Sequence, residues 1–441
     1  MQRDDNLPLN EIYSTPEALH EEIENILDLA LYKVPESAPL RLRFISPVSF
    51  DKWLADDNYN EYRLSFPWEH IDGLPYITVS YCWKHTQSMR GLSPLPHYQI
   101  SDGLKTGEPA PISCPNLVFH RAMLFARSRS CMYVWIDQEC IDQTDPTDIQ
   151  AHLKVMHRVY KESEWTVAPL SHPITDHRSL EQLITYLYHD YRLVGDASWG
   201  KTPKDSLVSN DYVSTFEERV QEATELLMSI TQDAWFRRTW TFQEKRCSWA
   251  LFLLVPIEVS SKVSENVYLH MIGKDLCFDT AYFNDFYRNH ELDMGMAAHV
   301  NSEVRWTMLD STQFYDYFAT SWDYASFGNW GCYSIFRFIQ DCDNQVAADR
   351  VAIFGHVCRF RNRLASDMLD GAEYSLSACI LALLLGNMDV IRDGRLELVR
   401  KIWEELEERS KVQTAAPNIS AWMMVLLVND YPLRRQRAYN P

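Results

Sequence analysis

The stretch Tyr76-Ile77-Thr78-Val79-Ser80-Tyr81-Cys82-Trp83 places a short apolar run directly before polar and aromatic side chains. A run of this length, rich in β-branched and aromatic residues, predicts a buried strand. Met132 to Ile136 is a second such run, and an amphipathic segment that opens at Pro115 lies between the two. Strands alternating with helices indicate βα units around a mostly parallel sheet, so the sequence predicts an α/β fold.

The alternation continues along the chain. Asp145-Pro146 is a helix start, with Asp as N-cap and Pro at the first helical position. Trp165 to Leu170 and Ala250 to Val255 are further candidate strands, and we expect the second to be the last one of the sheet. The apolar stripe of the helix that Asp145 caps has helical spacing and consists of Ile149, Leu153, Met156 and Tyr160.

Three units are expected. Residues 1–60 form an N-terminal adapter of one helix, capped by Thr15, and one strand, whose alternation runs through Leu40, Leu42 and Phe44 with Arg41 and Arg43 facing outward. Residues 61–258 hold the sheet, with a helical insertion at about 171–234. Residues 259–441 are a mainly helical C-terminal region.

Composition excludes several classes of protein. The formal charge of −19 argues against nucleic acid as the main partner, because phosphate backbones select clustered Lys and Arg. The N-terminus is acidic where a signal peptide is basic, and the apolar runs are shorter than the ~20 residues that span a bilayer. Ten scattered cysteines without a C-x-x-C pair are typical of reduced core residues. We therefore expect a cytoplasmic protein with no membrane span.

A metal site is not expected. The acidic residues that follow the second strand lack the glycine that turns a calcium-binding loop, and Asp145 serves better as an N-cap. No cofactor is predicted either. These acidic residues are Asp137, Glu139, Asp142, Asp145 and Asp148.

Polar and aromatic side chains gather where the predicted strands end. Ligands bind at the carboxyl ends of parallel strands, which places Ser80, Tyr81, Trp83 and Asp137 at one edge. A third stretch, Trp235-Phe236-Arg237-Arg238-Thr239-Trp240-Thr241-Phe242-Gln243-Glu244, brings two arginines, a tryptophan and a carboxylate if its helix packs at this edge. Stacking surfaces, hydrogen-bond donors and carboxylates together suit a nucleotide or nucleoside ligand.

Residue type alone leaves simpler interpretations open. Trp135 is more simply a core residue, Asp137 can cap a loop, and Glu244 can be an ordinary ion-pair partner of Arg237, Arg238 or Lys245.

Taken together and in this order, these segments resemble the fungal heterokaryon-incompatibility (HET) domain. The resemblance runs from about residue 40 to 255 and rests on three motifs and the helix containing Met156 and Tyr160. A weaker downstream motif of such proteins is similar to Ala348-Asp349-Arg350-Val351 through Gly355. The family usually has glycine after the tryptophan of its first motif, where this chain has Lys84. The three motifs are Val79 to Trp83, Trp135 to Gln143 and Arg238 to Glu244.

The resemblance implies a fold and an activity. HET domains are similar to the Toll/interleukin-1 receptor (TIR) domain, which has a flavodoxin-like sheet with flanking helices. TIR enzymes cleave NAD⁺ with a glutamate in a W-C-x-x-E segment, to which Trp240-Thr241-Phe242-Gln243-Glu244 is similar, with Thr241 replacing Cys. This implies Glu244 as the catalytic residue and NAD⁺ as the substrate. The candidate substrate-binding residues are Ser80, Tyr81, Trp83, Asp137, Arg238 and Trp240.

The resulting hypothesis is a cell-death protein of fungal non-self recognition that cleaves NAD⁺, self-associates on activation and responds to a partner protein. Two alternatives remain at this point. In the first alternative, which Lys84 in place of glycine would favour, the domain is a non-catalytic TIR-like interaction module. In the second, it is a regulator that binds a nucleotide and releases it intact.

Overall fold

The computed structural model describes most of the chain, with gaps. Lys84 and most of the predicted helical insertion at 171–234 lie outside the described residues. The described residues are 1–34, 40–67, 69, 73–83, 95–104, 108–175, 180, 229–258, 270–280, 330–344, 346–370, 374–388, 390, 392–410 and 418–428.

The helices and strands are numbered along the described part of the chain. The strands are β1 (Leu31–Lys33), β2 (Ile45–Pro47), β3 (Glu61–Leu64), β4 (Tyr76–Val79), β5 (Gln99–Asp102), β6 (Ala110–Pro111), β7 (Tyr133–Trp135), β8 (Trp165–Pro169), β9 (Leu251–Pro256), β10 (His270–Ile272), β11 (Asp275–Asp279) and β12 (Asn362–Leu364). The helices are α1 (Leu9–Ile12), α2 (Pro16–Ala30), α3 (Phe50–Ala55), α4 (Asn116–Ser128), α5 (Asp137–Cys140), α6 (Pro146–Lys161), α7 (Thr239–Cys247), α8 (Trp330–Asp341), α9 (Ala347–Val357), α10 (Ser366–Asp370), α11 (Leu376–Leu385), α12 (Arg392–Ser410) and α13 (Ile419–Val428). A 3₁₀ helix, Ala234–Arg237, precedes α7.

One mixed sheet of ten strands organises the fold, in the order β10-β11-β9-β8-β4-β7-β2-β3-β5-β6. At its centre β7, β4, β8 and β9 are parallel neighbours. Numbered by their position in the chain, these four strands have the order 2-1-3-4. The order reverses between the first and third of them, β4 and β8, and open α/β sheets bind ligands at such a reversal.

The predicted strands of this central group are confirmed, and so are the helix starts. Asp145 caps α6 by accepting the N–H of Thr147, and Thr15 caps α2 by accepting that of Ala18. The apolar residues of α2 that recur at helical spacing are buried: Leu19, Ile23, Ile26, Leu27 and Ala30.

Three predictions about the strands are wrong. It is mixed rather than mostly parallel, because antiparallel pairs join β2 to β7 and β11 to β9, so the strand from Leu251 is not the last one. The strand predicted at Leu40 to Phe44 begins instead at Ile45. Phe44 donates its N–H to the Ser65 hydroxyl and accepts the N–H of Ser65, so the ladder with β3 ends here because one of its bonds goes to a side chain.

The N-terminal residues divide between two cores. Helix α2 packs on α11 and α12, and β1 pairs with β12, so this part joins the C-terminal helices. Strands β2 and β3 extend the large sheet instead. Arg43, predicted to face outward, is half-buried and ion-paired with Asp102.

Helix α7 lies between the two cores. It packs on α6 at the sheet and on α9 of the C-terminal region. Trp240 of this helix touches both hydrophobic cores, and nearly all of its neighbours in the helix are buried. Among the described residues, no helix combines the length and apolar character needed to cross a bilayer.

A buried ion pair ties α4 to the sheet. Arg121, 1% exposed, pairs with Asp275 at 2.8 Å and donates to the main-chain oxygens of Leu170 and Leu254, where β8 and β9 approach their carboxyl ends. Removing one partner of such a pair leaves a buried charge without compensation.

We expect Arg121→Met to lower the free energy of unfolding by about 3–5 kcal/mol. Urea denaturation measures this change. Arg392→Met is the matched control, because Arg392 is 63% exposed and Glu24 keeps its pair with Arg395. The control should cost less than about 1 kcal/mol. Equal losses in the two variants would contradict the assignment of Arg121 as a structural tie.

Candidate functional site

The candidate site lies at the carboxyl ends of β4 and β7, beside the point where strand order reverses. Ser80 directly follows β4. Ile136 alone separates Asp137 from the end of β7. The main-chain N–H of Ser80 donates to Val167 of β8 at 2.9 Å, so the strand pairing fixes the backbone here. The structure thus brings the ends of both predicted strands to one edge.

Glu244 reaches this edge from α7. Its carboxylate accepts a hydrogen bond from the Ser80 hydroxyl, and that hydroxyl accepts the indole N–H of Trp235 at 2.7 Å. The Tyr160 hydroxyl of α6 lies close to this carboxylate and donates to the main-chain oxygen of Val79 at 3.3 Å. Ser80 is completely buried, whereas Glu244 retains 9% of its surface. The carboxylate is therefore held by a buried donor, and the residue as a whole keeps a small exposed area.

Burial sets the acidity of Glu244. Loss of hydration raises its pKa to about 7, and the nearby Asp137 charge adds to the rise. The Ser80 hydrogen bond, the Arg238 charge and the nearby Tyr160 hydroxyl oppose it. Glu244 therefore exchanges its proton near neutral pH, as few carboxylates do, and groups with such shifts cluster at functional sites.

A second cluster surrounds Asp137. Its two carboxylate oxygens accept the Tyr81 hydroxyl at 2.9 Å and the Trp83 indole N–H at 2.6 Å, and the first oxygen also accepts the N–H of Gln138. Burial raises the pKa of Asp137, and these hydrogen bonds oppose the rise. Trp83 is 43% exposed, so one aromatic surface stays open to solvent beside a fixed carboxylate.

Arg238 links the two clusters. Its guanidinium donates to the main-chain oxygen of Tyr81 at 3.2 Å, and its charge lowers the pKa of both Glu244 and Asp137. One half-buried cation therefore acts on two carboxylates at the same edge.

The turn before α7 directs Glu244 inward. The Asp233 carboxylate accepts the N–H of Trp235 and starts the 3₁₀ helix, and it also accepts N–H groups of Ser171 and His172 just past β8. The Thr241 hydroxyl donates back to Trp235 and Arg238, which fixes the change from 3₁₀ to α-helix. Glu244 follows one turn later.

Trp240 has a different set of partners from the other predicted residues. It lies one helical turn before Glu244, and its indole N–H donates to Asp349 of α9 at 3.0 Å. The remaining predicted residues form the two clusters described above. Trp135, by contrast, is a buried core residue, and Lys245 donates to Thr280.

Sequence reasoning missed Tyr160 and Trp235 as partners of the site. The spacing of Tyr160 marks it as part of the core stripe of α6, which it is, since the ring packs edge-on against Trp135. A buried Tyr or Trp also needs a partner for its polar atom. That requirement was the available signal, but it does not name the partner.

Comparison with known proteins identifies the domain. Residues 76–244 match the family model described as heterokaryon incompatibility protein (HET). The chain carries a HET domain. The match begins at the first residue of β4 and ends on Glu244, so it contains both clusters of the site. Comparisons with curated proteins and with solved structures gave no significant match.

The raised pKa of Glu244 predicts a pH-dependent stability of the HET domain. The folded-state pKa of about 7 exceeds the usual value of 4.5, so the protonated carboxyl favours folding. This contribution is complete below pH 4.5 and is lost as the pH rises through 7. The free energy of unfolding of the wild type should therefore fall by about 2–3 kcal/mol between pH 5 and pH 8, and Glu244→Gln should abolish this fall.

Urea denaturation at the two pH values measures this difference. Glu404→Gln, at an exposed position of α12, should keep the wild-type pH dependence. If Glu244→Gln had the same pH dependence as the wild type, the carboxyl would not be protonated preferentially in the folded state.

Proposed function

We propose that this HET domain has a TIR-like, flavodoxin-like fold and cleaves the nicotinamide–ribose bond of NAD⁺ or a related nucleotide, with Glu244 as the catalytic residue. The product or the loss of NAD⁺ would trigger cell death in fungal non-self recognition. The observation that carries the proposal is the position of Glu244, a buried carboxylate that the Ser80 hydroxyl holds beside a strand-order reversal, where burial raises its pKa to about 7.

The strand order supports the fold assignment. The order 2-1-3-4 of the central parallel strands is also the order of the first four strands of the flavodoxin-like fold. Glu244 comes after the third strand of this group, β8, and before the fourth, β9. The ligand of a flavodoxin-like protein lies at the reversal between the first and third strands, where Ser80 meets Val167.

The reaction needs one well-placed carboxylate. Water replaces nicotinamide at the ribose carbon: the carbon–nitrogen bond breaks, its electron pair leaves with neutral nicotinamide, and the incoming water loses a proton to give ADP-ribose. Positive charge develops on the ribose as the bond breaks, and a carboxylate beside it stabilises that charge. Nicotinamide is already a cationic leaving group, so no general acid is required.

The other residues have distinct roles in this proposal. Ser80 holds the Glu244 carboxylate, and Tyr81 holds Asp137. The open face of Trp83 stacks on a ring of the substrate, while Asp137 accepts from its hydroxyl groups. Arg238 pairs with a phosphate, and Trp240 supplies an aromatic surface one turn before Glu244. Self-association would complete or expose this site.

We expect Glu244→Gln to reduce nicotinamide release from NAD⁺ at least about a hundredfold, because the amide carries no charge to stabilise the transition state. Chromatographic quantification of nicotinamide and ADP-ribose at several protein concentrations, including high ones that favour assembly, measures the effect. Glu404→Gln is the control and should match the wild type.

The same assay separates the alternatives. If no assembled form consumes NAD⁺, the enzyme proposal is wrong and a non-catalytic interaction module remains. Tight binding with intact NAD⁺ recovered would indicate a nucleotide-binding regulator. Equal rates in the wild type and Glu244→Gln would move catalysis to another residue.

The reaction should also lose rate in acid. The carboxylate form of Glu244 is the active one, so kcat/KM falls as the pH drops below about 7. Ser80→Ala removes a hydrogen bond that lowers the pKa of Glu244, and the acid limb should therefore move to higher pH. A pH–rate profile tests this shift. A variant that lost the same factor at every pH would show that Ser80 acts on the substrate instead.

A further inference from the structure

Helix α7, which carries Glu244, is held on its other side by part of the C-terminal region, residues 338–344 and 346–356, here called the clamp. The backbone of the clamp pairs with the residues that start the helix. Asp343 donates its N–H to Arg237 at 2.7 Å, and its main-chain oxygen accepts the N–H and the hydroxyl of Thr239. The first turn of α7 is thus bound to another part of the chain.

Side chains of the clamp continue the contact along the helix. Phe338 stacks on Phe242 with ring centroids 4.2 Å apart, and Asp349 accepts the indole N–H of Trp240. His356 Nδ1 lies 2.7 Å from the amide oxygen of Gln243. That oxygen has no proton to give, so the imidazole donates. Four residues of α7 in and after its first turn therefore have partners in the clamp, and Gln243 directly precedes Glu244.

Hydrogen bonds within the clamp and a ring contact with α6 stabilise the clamp. Arg350, 2% exposed, donates to the main-chain oxygens of Ile339, Gln340 and Cys342, which closes the end of α8 onto α9. His356 stacks on His157 of α6 with centroids 4.8 Å apart. Burial lowers the pKa of His356 well below its usual range, so it stays a neutral donor. Of these two adjacent residues, Asp349 therefore contacts α7, and Arg350 stabilises the clamp itself.

We propose that Asp349 and His356 are positioning residues for Glu244, and that the C-terminal region controls the HET domain through this clamp. The inference rests on the proposed function for its effect on activity. Helix α9 thereby helps to position Glu244, although the two are far apart in sequence. A displacement of the clamp by a partner would release α7 and move the carboxylate relative to Ser80.

The test compares Asp349→Leu with Asp349→Asn in the full chain. Leucine keeps the branched skeleton of aspartate but removes the acceptor for Trp240, whereas the asparagine oxygen still accepts. We expect Asp349→Leu to lower kcat for NAD⁺ cleavage about tenfold or more with KM little changed, since a small misplacement of a catalytic group acts on the transition state. Amide hydrogen exchange of residues 239–247 should become faster in the same variant, and Asp349→Asn should restore both properties.

Glu404→Leu, which removes an exposed carboxylate from α12, is the control and should change neither property. His356→Phe provides the same two readouts should Asp349→Leu fail to fold. Unchanged exchange in residues 239–247 would overturn the clamp whatever the activity. Faster exchange with unchanged kcat would overturn the positioning role. If the wild type cleaves no NAD⁺, the proposed function fails, and hydrogen exchange alone decides the clamp.

Discussion

The structure of this domain depends on burying one carboxylate where two hydrophobic cores meet. Desolvation makes the charged form of Glu244 costly, so the chain must supply donors that are themselves buried. Ser80 from the end of β4 donates to it, Trp235 from the 3₁₀ helix donates to Ser80, and the Tyr160 hydroxyl of α6 lies close by and lowers its pKa. Each of these groups comes from a different element, so the carboxylate is held only when strand, helix and turn are all in place.

The four central strands of the sheet were predictable because they are almost wholly buried on both faces and therefore appear as short apolar runs. The helix starts at Thr15 and Asp145 were predictable because side-chain capping is local. Strands β10 and β11 were not, since they lie beyond the last apolar run recognised in the sequence and pair antiparallel. Amino-acid composition does not indicate at which edge of a sheet further strands pair.

The site was only partly predictable for a related reason. Residues next to strand ends, such as Ser80 and Asp137, announce their location through the strand pattern. The hydrogen bond between Ser80 and Glu244 spans 164 positions, and that between Trp240 and Asp349 spans 109. Contacts of this range depend on how two cores dock, and no local periodicity encodes it. The sequence therefore indicates the participants better than their partners.

Because the N-terminal helix α2 packs against the distant helix α11, the order in which the chain is synthesised affects its folding. The apolar stripe of α2 packs on α11, and Glu22 at its side accepts a hydrogen bond from Ser375, 353 positions later. At the usual speed of translation of about 5–20 residues per second, roughly 20 to 70 s separate the two partners. During that interval the helix has left the ribosome without its partner, so its apolar side is exposed to chaperones and to other nascent chains until the far end of the protein emerges.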